Sequence, residues 1–239
     1  ADAAQLQAYL DDVWQRHPQR TLLLEGMLEG ALFTLETLGD GNSLQALGGF
    51  KVRLSPPPHF IECEAQWDAD VDTPVIAQAL QQLRAFGVGF GLCHSEFALT
   101  SDGPVLVEIN YRSIGDRREF LLDEMFSQQW FTAALAPHLG LPVPQLRSAR
   151  AHALLRYYVA EHDGELVAAS EDRHHHDAHS NVQYRRMRAP GERIRVSHSN
   201  KDYLGVLSAL ASDAQALQLA VVQAEAGLQW RIDGAEPRA

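Results

Sequence analysis

Glu96 and Glu108 stand on either side of a turn signal, Ser101-Asp102-Gly103-Pro104, with His94 two residues before the first and Asn110 two residues after the second. If the turn is a three-residue loop from Ser101 to Gly103, Thr100 faces Pro104 and Glu96 lies directly opposite Glu108. Facing residues in a hairpin have Cβ atoms roughly 4.5–5.5 Å apart, and like charges there repel. Alternation puts His94 and Asn110 on that same face. Two facing carboxylates backed by an amide gain nothing structurally, whereas a divalent cation resolves their repulsion. A donor set made only of oxygens selects magnesium or manganese. The bland alternative is a solvated hairpin with two surface glutamates, and a one-residue slip of register would also break the pairing.

The elements that must position this hairpin follow from the periodicity. Ala3 to Gln15 carries Leu6, Leu10, Val13 and Trp14 at helical spacing and ends at His17-Pro18. Thr21 to Leu38 alternates as two strands broken by Gly26 and Gly30, and Gln45 to Leu54 reads as another strand beyond the Asp40-Gly41-Asn42 turn. Pro74 to Phe86 is a helix, Phe90 to Leu99 and Val105 to Tyr111 are the hairpin strands, and Met125 to Leu139 is a second helix closed by Gly140 and Pro142. The rest, from about Ala151, predicts a strand, an irregular stretch, a strand pair and a helix from Asp213 to Ala226. The expected class is α+β, a largely antiparallel sheet with helices packed on one side.

The chain has 239 residues, 46% hydrophobic and 21% charged, a profile of ordinary globular proteins with a sizeable core. A formal net charge of −11 disfavours non-specific association with nucleic acid or anionic membrane. The two cysteines, Cys63 and Cys93, lack metal-type spacing and fit a reducing cytoplasm better than a disulfide framework. No apolar run approaches the roughly 20 residues that span a bilayer. The run His174-His175-His176, with Asp177 and His179, reads as a solvated polar loop rather than a zinc site. The pairs Arg117-Arg118 and Arg185-Arg186 read as surface charge, and His94 as a hydrogen-bonded neighbour of the carboxylates.

The stretch from Gly91 through His94-Ser95-Glu96, then the turn, then Val107-Glu108-Ile109-Asn110-Tyr111-Arg112, resembles the signature of ATP-grasp enzymes, and among them the carboxylate–amine ligases. The resemblance implies that Glu96, Glu108 and Asn110 hold Mg2+ (or Mn2+) ions bridging the phosphates of ATP. It implies that Arg112 contacts transferring phosphate or a substrate carboxylate. Leu23 to Glu36 is similar to the hinge of that family, which implies adenine contacts from Glu25, Gly26, Met27 and Leu28. The ribose-binding glutamate of many members falls at Leu32 here. Lys51 matches a position that is often basic and near phosphates. The family's N-terminal lobes have no counterpart before Ala1, so the chain is expected to be the C-terminal half of a longer clamp, inactive alone. Residues 1–148 would be the ATP- and metal-binding lobe, and 149–239 a small closing subdomain. The implied partners are a small carboxylate and an amine, with no nucleic acid or membrane, and with homo-oligomerisation left open. A non-catalytic nucleotide- or partner-binding module is the alternative from another class. An ATP-grasp enzyme that phosphorylates or carboxylates is a third.

Overall fold

A computed structural model of the chain describes residues 2–146 and 152–234. It opens with α1 (Ala3–Arg16), followed by β1 (Ala31–Asp40), β2 (Leu44–Leu54), β3 (Glu62–Asp68), α2 (Pro74–Ala85), β4 (Phe90–Thr100) and β5 (Gly103–Asn110). Then come α3 (Arg118–Met125), α4 (Trp130–Leu135), β6 (His152–Val159), β7 (Gly164–Ala169), β8 (Arg173–His176) and β9 (Ser180–Arg186). The chain finishes with β10 (Arg193–Ile194), β11 (Tyr203–Ala211), α5 (Ala214–Glu225) and β12 (Trp230–Asp233). Nine strands form one sheet in the order β5-β4-β1-β2-β3-β6-β11-β9-β8, and β10-β7-β12 form a small second sheet. Every described pairing is antiparallel. The α+β class expected from the sequence is the class found.

Strand alternation divides the large sheet into two faces. One carries Leu38, Phe50, Trp67, Leu155 and Val206, packed with Leu121, Leu122, Met125, Phe126 and Trp130 of the α3–α4 region. The other receives α2 through Leu35, Cys93 and Phe97, and α5 through Leu154, Val182 and Leu207. Local signals fix these helices. Thr73 caps α2 by accepting from the Ile76 amide at 3.2 Å, with Pro74 in the first turn. Asp213 does the same for α5, accepting from the Ala216 amide at 2.8 Å. Leu83 is fully buried on α2, which contributes about 2 kcal/mol.

Several expectations need correction. The helix expected over Met125 to Leu139 is broken: Ser127 and Gln128 take φ of 56° and 61°, and α4 begins afresh at Trp130. The break lets Phe126 and Trp130 both turn into the core with rings stacked 5.7 Å apart, and Asp123 accepts from the Trp130 amide at 3.0 Å. Thr21 to Gly30 forms no strand, since no described strand pairs with it; Leu23, Leu24, Met27 and Leu28 are exposed there. β3 has no counterpart among the expected strands, although its Glu-Cys-Glu-Ala-Gln-Trp-Asp run alternates polar and apolar throughout; its acidic residues are poor strand formers and it follows a proline run. Its central place between β2 and β6 makes it a strand. The His174–His176 run is not a loop: it is edge strand β8, exposed, with His174 Nε2 2.6 Å from Asn181 Oδ1. The boundary expected at 148/149 lies outside the described residues. No described helix is long and apolar enough to cross a membrane.

Candidate functional site

β4 is central to the site because it has neighbours on both sides. Across β4–β5, Glu96 faces Glu108 and His94 faces Asn110. Across β4–β1, Glu96 faces Thr34 and His94 faces Glu36. One patch of sheet therefore presents Glu36, His94, Glu96, Glu108 and Asn110 together. The pairing arises differently from the simple three-residue loop: Thr100 pairs with Gly103, and an irregularity at Val107 restores the Glu96–Glu108 register.

His94 is buried between two carboxylates, with Nδ1 2.7 Å from Glu36 Oε1 and Nε2 3.4 Å from Glu96 Oε1. Burial alone would lower its pKa, but the bonds to Glu36 and Glu96 and their charge outweigh it and carry the imidazole up to about 9. It is thus an imidazolium at neutral pH, and its bond to Glu96 holds that carboxyl below the ordinary range against the opposing effect of burial. Glu36 is wholly buried and its Oε2 has no hydrogen-bond partner among the described residues. Between the start of β3 and the start of α3 stands a second buried pair, Arg118 donating to Glu62, with the guanidinium 5.8 Å above the Phe50 ring. Burial pushes Glu62 up and Arg118 only partly offsets it, while Glu96 and Asp116 add to the rise. Burial opposes the charge of Arg118, yet Tyr157, Glu62, Asp116 and Glu36 more than compensate and hold its pKa above the usual arginine value. Its Nε and Nη1 likewise have no hydrogen-bond partner among the described residues. The expectation that Arg118 is surface charge is therefore corrected: it is 4% exposed, drawn inward from the start of α3 by Glu62 and the Phe50 ring.

The remaining predicted residues are distributed as follows. Arg112 is exposed just past β5, its Nη1 donating to the Ser113 carbonyl at 2.9 Å, and its charge helps lower the Glu96 pKa. The loop that carries it is anchored by Trp130 Nε1 to Ser113 Oγ at 2.9 Å and by the Tyr157 hydroxyl to the Asp116 carbonyl at 2.7 Å. Glu25, Gly26, Met27 and Leu28 lie in the exposed segment leading into β1, upstream of Thr34 and Glu36. Lys51 is not brought to the patch. It pairs in register with Phe33, on the opposite face of the sheet, and binds Asp68 at 2.6 Å. Sequence reasoning missed Glu36, Glu62, Asp116 and Arg118. Glu36 did leave a signal, a lone charge inside the otherwise uncharged stretch from Ala31 to Gly39.

The donor set fits a hard cation in part. Two carboxylates, an amide oxygen and the unpartnered oxygen of Glu36 suit magnesium. Among the described residues, no three His, Cys, Asp or Glu side chains converge into a cage by themselves. A cation at Glu96 and Glu108 would therefore complete its shell from solvent and a bound phosphate, the usual habit of magnesium.

No protein-family model matches the chain. It is similar to y4rH, an uncharacterised protein of Sinorhizobium fredii, at 28% identity over 162 residues, 64% of this chain and 32% of that one. Among solved structures, L-amino acid ligase from Bacillus licheniformis matches with a TM-score of 0.73 at 17% identity, over 98% of this chain and 61% of the ligase. Phosphoribosylglycinamide synthetase from Anaerococcus prevotii matches with a TM-score of 0.69 at 10% identity, over 87% of this chain and 55% of that one. Biotin carboxylase from Campylobacter jejuni, in complex with an ATP species, matches with a TM-score of 0.62 at 13% identity, over 87% and 48%. The chain thus spans about a third of the curated relative and roughly half to three fifths of the solved ones. At these identities the likeness concerns architecture, and the architecture is that of the ATP-grasp fold.

Proposed function

We propose that this chain is the ATP- and metal-binding part of an ATP-dependent carboxylate–amine ligase. The observation that carries the reading is the double pairing of Glu96 with Glu108 and His94 with Asn110 on one sheet face, with buried Glu36 behind them. In this reading residues 1–148 form the nucleotide- and metal-binding lobe and 149–239 a closing part. Glu96, Glu108 and Asn110 are the ligands for Mg2+ or Mn2+. A bound cation would neutralise phosphate charge and orient the terminal phosphoryl group. The substrate carboxylate would attack that phosphoryl group to give an acyl phosphate and ADP, and an amine would then displace phosphate to leave an amide. His94 keeps Glu96 ionised, Arg112 supplies a bidentate cation for the transferring group, and Glu25 to Leu28 meet the adenine edge.

The test is calorimetry of Mg-ADP on this chain, with manganese as an anomalous scatterer in crystals. Exposed hinge residues and the open patch set the expected Kd at about 0.1–1 mM. Glu108→Gln keeps the shape and removes the charge, so the cation-dependent part of binding should weaken by about tenfold or more while circular dichroism is unchanged. Equal binding by the variant would remove Glu108 from the ligand set. A second reading, a nucleotide- or partner-binding module without turnover, is favoured by the exposure of Met27, Leu28 and Arg112. Release of ADP from Mg-ATP on addition of mixed amino and carboxylic acids, assayed with the N-terminal lobes joined to this chain, separates the two.

A further inference from the structure

On the sheet face opposite the carboxylates, a cavity of about 360 Å³ opens between β1, β2 and the entry to α2. Its floor is Phe33 and Leu99, its wall Val71, Val75 and Ile76, and Lys51 stands at its rim. Register fixes the side: Phe33 pairs with Phe97 and Lys51, whereas its neighbour Thr34 pairs with Glu96 on the other face. The Phe33 ring is itself held by stacking on Phe97 at 5.3 Å. Apolar atoms dominate the lining, and the charged groups gather at the mouth, where Lys51 Nζ meets Asp68 Oδ2 at 2.6 Å and Asp70 stands beside them.

We propose that this cavity binds a free aromatic amino acid, ring against Phe33 and head group across Lys51 and Asp68. The proposal stands apart from the ligase reading, since none of the residues it uses lies on the carboxylate face. Size allows it: a cavity of about 360 Å³ lies in the range of small-molecule pockets, roughly 300–1,000 Å³, and a free aromatic amino acid is a ligand of that scale. Charge selects the head group. An ammonium and a carboxylate side by side at the mouth of an apolar hole are complementary to a ligand carrying an adjacent carboxylate and ammonium. A simple anion would have to compete with Asp68 for Lys51, and a simple cation with Lys51 for Asp68. A zwitterion replaces both contacts at once and keeps every charge paired.

The experiment is calorimetric titration of the full 239-residue chain with L-phenylalanine, phenylacetate and phenethylamine. Saturable binding of phenylalanine is expected, with each single-charge analogue weaker by about tenfold or more. Leu99→Trp and Val75→Phe fill the cavity and should each abolish phenylalanine binding while leaving Mg-ADP binding on the other face unchanged. If either variant misfolds by circular dichroism, backbone amide shifts decide. They should move at Phe33, Lys51 and Val75 in the unmodified chain. Shifts confined to Glu96 and Glu108, binding that survives both fillings, or an analogue as tight as phenylalanine would overturn the proposal. So would an absence of binding, whether the cavity is filled by the exposed Leu23–Leu28 stretch or by a second copy.

Discussion

The Glu36–His94–Glu96 chain concentrates the electrostatics of the site in one side chain. His94 has a folded pKa of about 9 against an ordinary value of 6.5, so its protonated form is bound more tightly by the folded chain. The stabilisation this contributes is full below pH 6.5 and is lost as the pH rises through about 9. The group is almost wholly buried, and the contribution reaches an upper limit of about 3 kcal/mol. Urea unfolding in the presence of EDTA, at intervals from pH 6 to 10, should reveal this loss in the unmodified chain and a flatter profile in His94→Gln. Parallel profiles would dissociate His94 from stability. Arg118 illustrates the converse risk of reading charge from sequence alone. Two adjacent arginines look like surface decoration, yet Glu62 sits 56 residues earlier in the chain and supplies the partner that permits burial.

At the scale of elements, the pairing of Glu96 with Glu108 was legible and the path to it was not. Alternation and the Ser-Asp-Gly-Pro turn located the hairpin, but the register depends on the irregularity at Val107, which leaves no mark in an apolar Val-Leu-Val run. The α2 and α5 boundaries were readable because Thr73 and Asp213 cap locally. The break at Ser127 was not, because Phe126 is turned inward against Trp67 from a distant strand, and β3 was obscured by its acidic residues until β2 and β6 flank it. Glu36, too, becomes a site residue only through its pairing with His94. Gly48 makes a related point. It lies opposite Glu36 at φ 135°, and a Cβ there would come within 2.2 Å of the Trp67 ring. Gly48→Ala should therefore cost about 2–3 kcal/mol through backbone strain and overpacking, measured as a lower urea midpoint. An unchanged midpoint would mean that Trp67 and the strand yield freely.

Across the whole molecule, the two halves meet along β3 and β6, where Glu64, Ala65 and Gln66 pair with Arg156, Leu155 and Leu154. Arg156 adds a clasp over this seam, donating to Glu64 at 2.7 Å and to Glu225 of α5 at 2.6 Å. Phe50 and Trp67 of one half share a core with Tyr157 and Val206 of the other. Because the core does not stop at the seam, thermal unfolding should follow a single transition, with calorimetric and van't Hoff enthalpies equal. Two resolved transitions would show that the seam is weaker than its packing implies. At the outer edge of the sheet, β5 has, among the described residues, a strand neighbour on one side alone. The Gln82 side chain of α2 covers the near half, donating to the Pro104 carbonyl at 2.7 Å and accepting from the Leu106 amide at 3.2 Å. The far half, which carries Glu108 and Asn110, has no such side-chain cover among the described hydrogen bonds; the Arg112 amide donates to the Asn110 carbonyl at 2.8 Å, and this half should open before the near one. An ion shared by Glu96 and Glu108 would rivet that flap to β4. Ligand occupancy would then be readable as a clock: at a hundredfold excess over Kd, amide exchange from Val107 to Asn110 should slow by about a hundredfold.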